Sequence, residues 1–374
     1  MSLSDKGKPN PAPVRLLIVD DSALIRKILL DLLGSTPEIE VVGIARDGVE
    51  ALELNVSLAP DVITLDIEMP GMSGLEALPL LLRARSVSII MVSALTQEGA
   101  EATLTALELG SVDFLPKPDR HQIAQIKALG DILIAKVLSA ARCRGRAPLT
   151  RRMTPPGSKE HAVVAGTPGS REHTVSLVPV VKGPITPCIL IGISTGGPQA
   201  LSLVLPALTP PVPPILIVQH MPAKFTYVFA ERLARQCASS VREAQHNERV
   251  LPDTILIAPG GRHMTLISAA GQARVALSDG PLVSGHKPSV DMLFQSGART
   301  YRSDAVGIIM TGMGRDGVEG CKKILDAGGR TFGQDEQSSV VYGMNKLAYE
   351  EQAVQSQFAL ADLPALIQRL TRHE

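Results

Sequence analysis

At 374 residues the chain exceeds the ~100–200 of an ordinary domain, and a 45% hydrophobic, 20% charged composition lets each of two domains bury its own core. Thirty-seven basic residues balance thirty-seven acidic ones, aromatics are 3% and Trp is absent, which argues against nucleic acid held by a basic field or a base-stacking platform. Four scattered cysteines without a C-x-x-C pair, and no apolar run near the ~18 residues of a membrane-spanning helix, point to a reducing cytoplasm with no disulfide framework and no membrane insertion.

Residues 1–13 are polar and Pro-rich, lack the apolar core of a secretion signal and are expected to be disordered. From 14 to 141 short apolar runs alternate with helix-period segments. The runs are Leu16–Val19, Val41–Val42, Val62–Leu65, Val87–Val92 and Val112–Leu115. Between the first two, Ile25, Ile28, Leu29, Leu32 and Leu33 repeat at the spacing of one buried helix face. This alternation predicts a doubly wound, five-stranded parallel sheet of flavodoxin-like type, with its functional crevice at the carboxyl ends of the strands.

The crevice collects charge. The first run ends in Asp20 and Asp21, the third in Asp66, the fourth in Ser93, and the fifth runs through Phe114 to Lys117. Three converging carboxylates repel one another unless a cation such as Mg²⁺ joins them. A carboxylate nucleophile, a metal and a lysine are the parts needed for phosphoryl transfer onto aspartate. A lone strand-end Asp is usually a cap or turn former, and a lone Lys between prolines a solvated loop; the joint pattern carries the reading.

Periodicity collapses over 142–184, a stretch rich in Pro, Gly, Ser, Thr and Arg. It reads as a flexible linker, with a basic interaction arm as the alternative. From 185 to 374 apolar strands resume at Cys188–Ile191, Pro214–Val218 and Ala305–Met310. A strand-like region with Gly turns spans 254–278, and a helical stripe runs from Val290 to Tyr301. This half is predicted to be a second doubly wound α/β domain, with a mainly parallel sheet.

Its first strand runs into Gly192-Ile193-Ser194-Thr195-Gly196-Gly197 and a helix-like segment. Glycines flanking a serine permit a sharp strand-to-helix turn that lifts the hydroxyl toward free helix N–H groups. An ordinary N-cap and a Gly-rich phosphate loop compete with a nucleophile elbow, though the Lys of a Walker loop and the third Gly of a dinucleotide fingerprint are missing. His220 follows the next strand directly and is the candidate base; His263 and His286, in Gly-rich loops, are rivals. Asp316, in Thr311-Gly312-Met313-Gly314-Arg315-Asp316-Gly317, is the candidate orienting acid. The order Ser, His, Asp differs from that of α/β-hydrolases, which disfavours an ordinary lipase or esterase fold.

Residues 15–140 resemble a response-regulator receiver domain. The resemblance implies Asp66 as phospho-acceptor, Asp20 and Asp21 as metal carboxylates, and the main-chain carbonyl of Glu68 as a further Mg²⁺ ligand. It also implies Ser93 and Phe114 as switch residues and Lys117 as the phosphate-binding lysine. Residues 185–370 resemble the catalytic domain of the CheB family of chemotaxis receptor methylesterases. The shared motifs are those around Ser194, His220 and Asp316, with Ala258–Met264, His286–Asp291 and Gln334–Met344. A receiver in front of this domain is that family's layout. It implies hydrolysis of glutamate γ-methyl esters on methyl-accepting chemoreceptors, glutamine deamidation, and a sensor histidine kinase as phosphoryl donor. Backbone oxyanion donors are implied at Thr195 and Met313, and the esterase step needs no cofactor. Asn345 departs from the family's usual Pro. The receiver is expected to act as a brake by covering the approach to Ser194. Alternative readings are a same-fold hydrolase with another target, or a receiver driving a DNA-binding output.

Overall fold

A computed structural model of the chain describes residues 12–117, 123–143, 187–269 and 271–371. The first half winds five strands, β1 (Val14–Val19), β2 (Ile39–Ala45), β3 (Val62–Asp66), β4 (Ser88–Ser93) and β5 (Asp113–Pro116), with five helices. These are α1 (Ala23–Leu33), α2 (Gly48–Leu58), α3 (Gly74–Ala84), α4 (Gln97–Leu109) and α5 (Ile123–Cys143). The strands pair in parallel in the order β2-β1-β3-β4-β5. β3 and β4 are buried at every position, as parallel strands covered on both faces must be. Side-chain caps start the helices: Ser22, Asp47, Ser73 and Thr96 each accept from the first turn. Ser73 and Glu76 close a reciprocal capping box.

Helix α5 continues to Cys143, past the boundary expected at 141, because Val137, Ala140 and Cys143 remain buried along one face. Of the expected disordered start, 1–13, and linker, 142–184, residues 1–11 and 144–184 lie outside the described residues.

The second half is built on a seven-stranded, wholly parallel sheet ordered β14-β13-β12-β6-β7-β9-β8. Its strands are β6 (Cys188–Ile193), β7 (Ile215–Gln219), β8 (Ser240–Glu243), β9 (Thr254–Ile257), β12 (Ala305–Ile309), β13 (Arg330–Gln334) and β14 (Ser356–Phe358). An antiparallel hairpin, β10 (His263–Ala269) with β11 (Gln272–Ser278), stands apart from it. The helices are α6 (Gly197–Val204), α7 (Phe225–Ala234), α8 (Val290–Tyr301), α9 (Val318–Asp326), α10 (Met344–Glu350) and α11 (Leu363–Thr371). β8, β13 and β14 carry too few consecutive apolar residues to have been read as strands.

The winding direction reverses at β6. Chain order proceeds to one side through β7 and returns on the other side at β12. A crevice forms where neighbouring strand ends send their loops apart, and ligands of open α/β sheets bind there. Ser194, His220 and Asp316 follow β6, β7 and β12, the three strands around that point.

The two halves share one apolar core. Leu104, Leu107 and Phe114 of the first half join Phe225, Val228 and Phe229 of α7 in one continuous buried cluster. Among the described residues no helix is long and apolar enough to cross a membrane.

Candidate functional sites

In the first half the strand-end acids converge as the sequence predicts. Ligand atoms of Asp20, Asp21 and Asp66 lie within 4.8 Å of one another. Lys117 Nζ donates to Asp66 Oδ2 at 2.6 Å and lies 3.6 Å from Asp20 Oδ2. Asp20 and Asp66 are fully buried, whereas Asp21 is exposed. Burial pushes the Asp66 carboxyl up to about 6; the Lys117 hydrogen bond opposes the rise and Asp20 adds to it. Burial likewise raises Asp20, against the pull of Lys117. Burial would lower Lys117, but its hydrogen bond to Asp66 and the charges of Asp66, Asp20 and Asp21 hold it above its ordinary value. Asp20 Oδ2 is buried without a hydrogen-bond partner. A buried carboxylate oxygen with no hydrogen bond beyond the 3.6 Å ion pair to Lys117, within 4.8 Å of two other acids, fits a divalent cation.

Ser93 and Phe114 are buried but turned from the acids. Ser93 Oγ donates to the Gly99 carbonyl at 3.0 Å. The Phe114 ring stacks on Phe225 of the second half, centroids 4.8 Å apart and planes 3° from parallel. Glu68 contributes its amide to Asp66 Oδ1 at 3.2 Å.

In the second half the turn after β6 is tight. Gly196 has φ +79, and a Cβ there would meet Val340 at 2.5 Å. The Ser194 amide donates to the Thr311 carbonyl at 3.0 Å, and Gln219 Nε2 donates to the Ser194 carbonyl at 3.0 Å, so the loop after β12 and the last residue of β7 clamp the serine. His220 Nε2 donates to Asp316 Oδ2 at 2.9 Å. Its Nδ1 is buried and has no hydrogen-bond partner.

Asp316 is wholly buried and fully bonded. Oδ1 accepts from Ser289 Oγ at 2.8 Å and the Asp291 amide at 3.0 Å; Oδ2 accepts from the Val290 amide at 2.7 Å as well as from His220. The amides belong to the first turn of α8, whose dipole favours an anion. Burial would raise this carboxyl, but the His220 hydrogen bond and charge, with those amides, outweigh it and hold Asp316 below its ordinary value. Neighbouring Asp291 is raised, first by burial and, despite the Gly320 amide, also by the Asp316 charge.

A family model described as CheB methylesterase matches residues 189–367, and one described as Response regulator receiver domain matches residues 16–127. A protein from Geobacter metallireducens named protein-glutamate methylesterase/protein-glutamine glutaminase 1 is 44% identical over 353 residues, 94% of each chain. One of that name, numbered 2, from Shewanella oneidensis is 41% identical over 360 residues, 96% of this chain and 97% of the other. The crystal structure of the Thermotoga maritima CheB methylesterase catalytic domain is 34% identical and covers 51% of this chain and 100% of that one, with a TM-score of 0.49. The chain belongs to the CheB methylesterase family.

Within this CheB-family chain, Thr195 and Met313 flank the crevice, and both touch the receiver. Thr195 Oγ1 donates to Asp113 Oδ2 of β5 at 2.6 Å, and Ser139 Oγ of α5 lies 3.1 Å from Met313 Sδ. Lys136 of α5 completes the Asp113 contact at 2.6 Å. Of the rival histidines, His263 is buried, with Nε2 2.8 Å from the Pro281 carbonyl. His286 stacks directly on His220, rings 3.8 Å apart and 8° from parallel. Ser289 and Asp291 were legible only as part of a resembling motif and Val290 also as the start of a helical stripe; the N-cap pattern of Ser289 before that stripe was their local signal. Gln219 was legible only within the resembling motif around His220, and Asp113 gave no signal, since its partner comes from a distant segment.

Asn345 is fully buried. Its Nδ2 donates to the Gln334 carbonyl at 2.7 Å and to Ser339 Oγ at 2.8 Å. It ties the end of β13 to the loop whose Val341 carbonyl accepts from the Gly312 amide.

Proposed function

We propose that the chain is a phosphorylation-gated protein-glutamate methylesterase that acts in the cytoplasm on methyl-accepting chemoreceptors and also deamidates receptor glutamines. One observation carries the catalytic reading. His220, whose amide donates to the Ile193 carbonyl next to Ser194, has a buried, unpartnered Nδ1 while its Nε2–H is held by a fully bonded, ionised Asp316. An idle buried acceptor costs roughly 1–3 kcal/mol; His263 Nδ1 is idle too, but its Nε2 faces the Pro281 carbonyl, so the carboxylate partner singles out His220.

In this reading Ser194 Oγ attacks the glutamyl ester carbonyl and passes its proton to His220 Nδ1. Asp316 keeps the ring in the required tautomer and balances the imidazolium charge. The amides of Thr195 and Met313 receive the oxyanion, each donor worth about 3 kcal/mol in comparable sites. Methanol leaves with the proton from His220, or ammonia when the substrate is glutamine. Water, deprotonated by His220, then frees the glutamate.

The receiver, taken as 14–141 with a linker over 142–184 and a catalytic domain over 185–374, supplies the gate. Asp66 accepts the phosphoryl group from a sensor histidine kinase. Asp20, Asp21, Asp66 and the Glu68 carbonyl would hold Mg²⁺, which neutralises the acids as the phosphoryl arrives. Lys117 steadies the phosphoryl oxygens. In the unphosphorylated arrangement Asp113 holds the Thr195 hydroxyl, and Ser139 and Phe114 abut Met313 and Phe225, so receiver side chains occupy the approach a receptor helix needs. Drawing Ser93 from the Gly99 carbonyl toward a phosphoryl group on Asp66 shifts Phe114 and loosens that contact.

A fluorophosphonate probe that acylates activated serines tests both parts on the full chain. Labelling should rise with acetyl phosphate and Mg²⁺, vanish in Ser194→Ala and fall sharply in His220→Ala. Phosphodonor-independent labelling would refute the gate, and labelling of Ser194→Ala would refute the nucleophile.

A further inference from the structure

The segment between β11 and α8 builds a support of its own beneath the catalytic imidazole. Val283 and His286 exchange backbone hydrogen bonds at 3.1 and 2.9 Å across a two-residue turn. Ser284 and Gly285 both have positive φ, 52° and 80°. Two positive-φ central residues define the type I′ turn, which a Ser-Gly pair with a central glycine accommodates. The turn is pinned at its tip. Ser284 Oγ donates to Asp291 Oδ2 at 2.9 Å, and Asp291 Oδ1 accepts the Gly320 amide at 2.7 Å. Lys287 Nζ reaches the Gly280 carbonyl at 3.0 Å. His286 Nδ1 donates to the Ser284 carbonyl at 2.8 Å, which fixes the ring plane. The result is an imidazole held at both backbone and side chain, with its face on His220 at 3.8 Å.

We propose that His286 is a positioning residue for the hydrolysis: its ring face locks the His220 imidazole so that Nε2 stays on Asp316 and Nδ1 stays free to take the Ser194 proton. This rests on the reading of Ser194, His220 and Asp316 as the catalytic set. The physical need is clear from the bonding around His220. A ring held by one hydrogen bond can still pivot about it, and the stack removes that freedom. The groups facing His286 are His220, Asp316, the Ser284 carbonyl with Asp291 behind it, and Lys136 of the receiver. Burial first, then His220 and Lys136, hold its pKa down to about 4, against the opposing pull of Asp316 and the Ser284 carbonyl. His286 therefore remains neutral through the working range and presents a π face, not a second positive charge, to the imidazolium that forms on His220.

The same chemistry separates this role from that of a second base. A base acts through a ring nitrogen, and a positioning ring acts through its face. His286→Phe keeps the face and discards the nitrogens; His286→Gln keeps a donor for the Ser284 carbonyl and discards the face. Ser284 is exposed, so water can serve its carbonyl in the Phe variant.

The test uses the full chain with saturating acetyl phosphate and Mg²⁺. It follows methanol release from a methyl-esterified receptor fragment and the pH profile of fluorophosphonate labelling. His286→Gln and His286→Ala should lower kcat on the order of 10–100-fold with KM nearly unchanged, while His286→Phe stays within about threefold of wild type. The acidic limb of the labelling profile should be the same in wild type and the Phe variant. Unchanged Asp66 phosphorylation and circular dichroism establish that the variants fold. Wild-type turnover in the Gln variant, or a Phe variant as slow as Ala, overturns the proposal. A Ser194→Ala protein that still labels would instead sink the catalytic reading beneath it.

Discussion

A charge swap at the rim of the domain contact isolates the gate from the chemistry. Arg232 of α7 pairs with Glu108 of α4 and reaches Thr105 Oγ1 at 3.3 Å. The side chains are 26% and 40% exposed, so the pair belongs with partly solvated ion pairs worth ~0.2–1 kcal/mol rather than with buried ones. Arg232→Glu replaces that attraction with a repulsion of similar size, a change of about 1–2 kcal/mol against the closed arrangement. The closed-to-open ratio then falls about 5–30-fold. Arg232 belongs to none of the groups proposed to react, so the active, phosphorylated rate should be untouched. In the unphosphorylated full chain at low salt, fluorophosphonate labelling of Arg232→Glu should exceed wild type by several-fold, up to that limit. The double variant Glu108→Arg/Arg232→Glu should return to the wild-type rate, because the swapped pair attracts again. Near 1 M salt, where the screening length is ~3 Å, the difference should shrink. An unchanged basal rate in the single variant, or a double variant as fast as the single one, would show that this contact does not hold the gate shut.

The receiver acids should accept label from acetyl phosphate only with a divalent cation; label that survives EDTA or persists in Asp66→Ala would contradict the assignment. Asp66 should also leave a mark on stability. Its folded pKa is raised from 3.8 to about 6, so the folded state binds more protons across that window and stability falls as pH rises through it. In chelator above pH 6, Asp66→Asn should be more stable than wild type by up to about 3 kcal/mol, read as protection of β3 amides from hydrogen exchange. A wild type no less protected at pH 7 than at pH 4 would refute that. Asp316→Asn should cost more in kcat than in KM, since it misplaces the His220 proton without touching the substrate; a pure KM effect would be inconsistent with an orienting acid. Asn345→Ala should destabilise the catalytic domain by about 1–3 kcal/mol by stranding the buried Gln334 carbonyl, measured by chemical denaturation; a neutral result would mean that water takes the place of the amide.

Much of the site was legible because parallel α/β sheets make chain position informative. A residue just past a buried apolar strand stands at the carboxyl edge. Asp20, Asp66 and Lys117 therefore had to share one end of one sheet, and Ser194, His220 and Asp316 one end of another. The strands themselves were visible wherever both faces are buried, as in β3, β6 and β7, and were missed in β8, β13 and β14. Those three stand at or next to the sheet's edges and interleave polar residues with few apolar ones. The family motifs extended the legible part, with the segment 286–291 marked as important though its task was not.

What the sequence by itself determined is thus the layout: a receiver before a CheB-type catalytic domain, with reactive side chains assigned to strand ends. Tertiary structure decided which of those side chains meet across the fold. It placed His286 against His220 by folding a type I′ turn back from α8, and it satisfied Asp316 with the first turn of that helix. It turned Ser93 to Gly99, paired Phe114 with Phe225 and set Asp113 on Thr195, 82 positions away. Periodicity records which side of a strand or helix avoids water, a property of neighbouring residues along the chain. Partners at long range depend on how loops and domains pack once those faces are buried, and that geometry leaves no local repeat in the sequence to read.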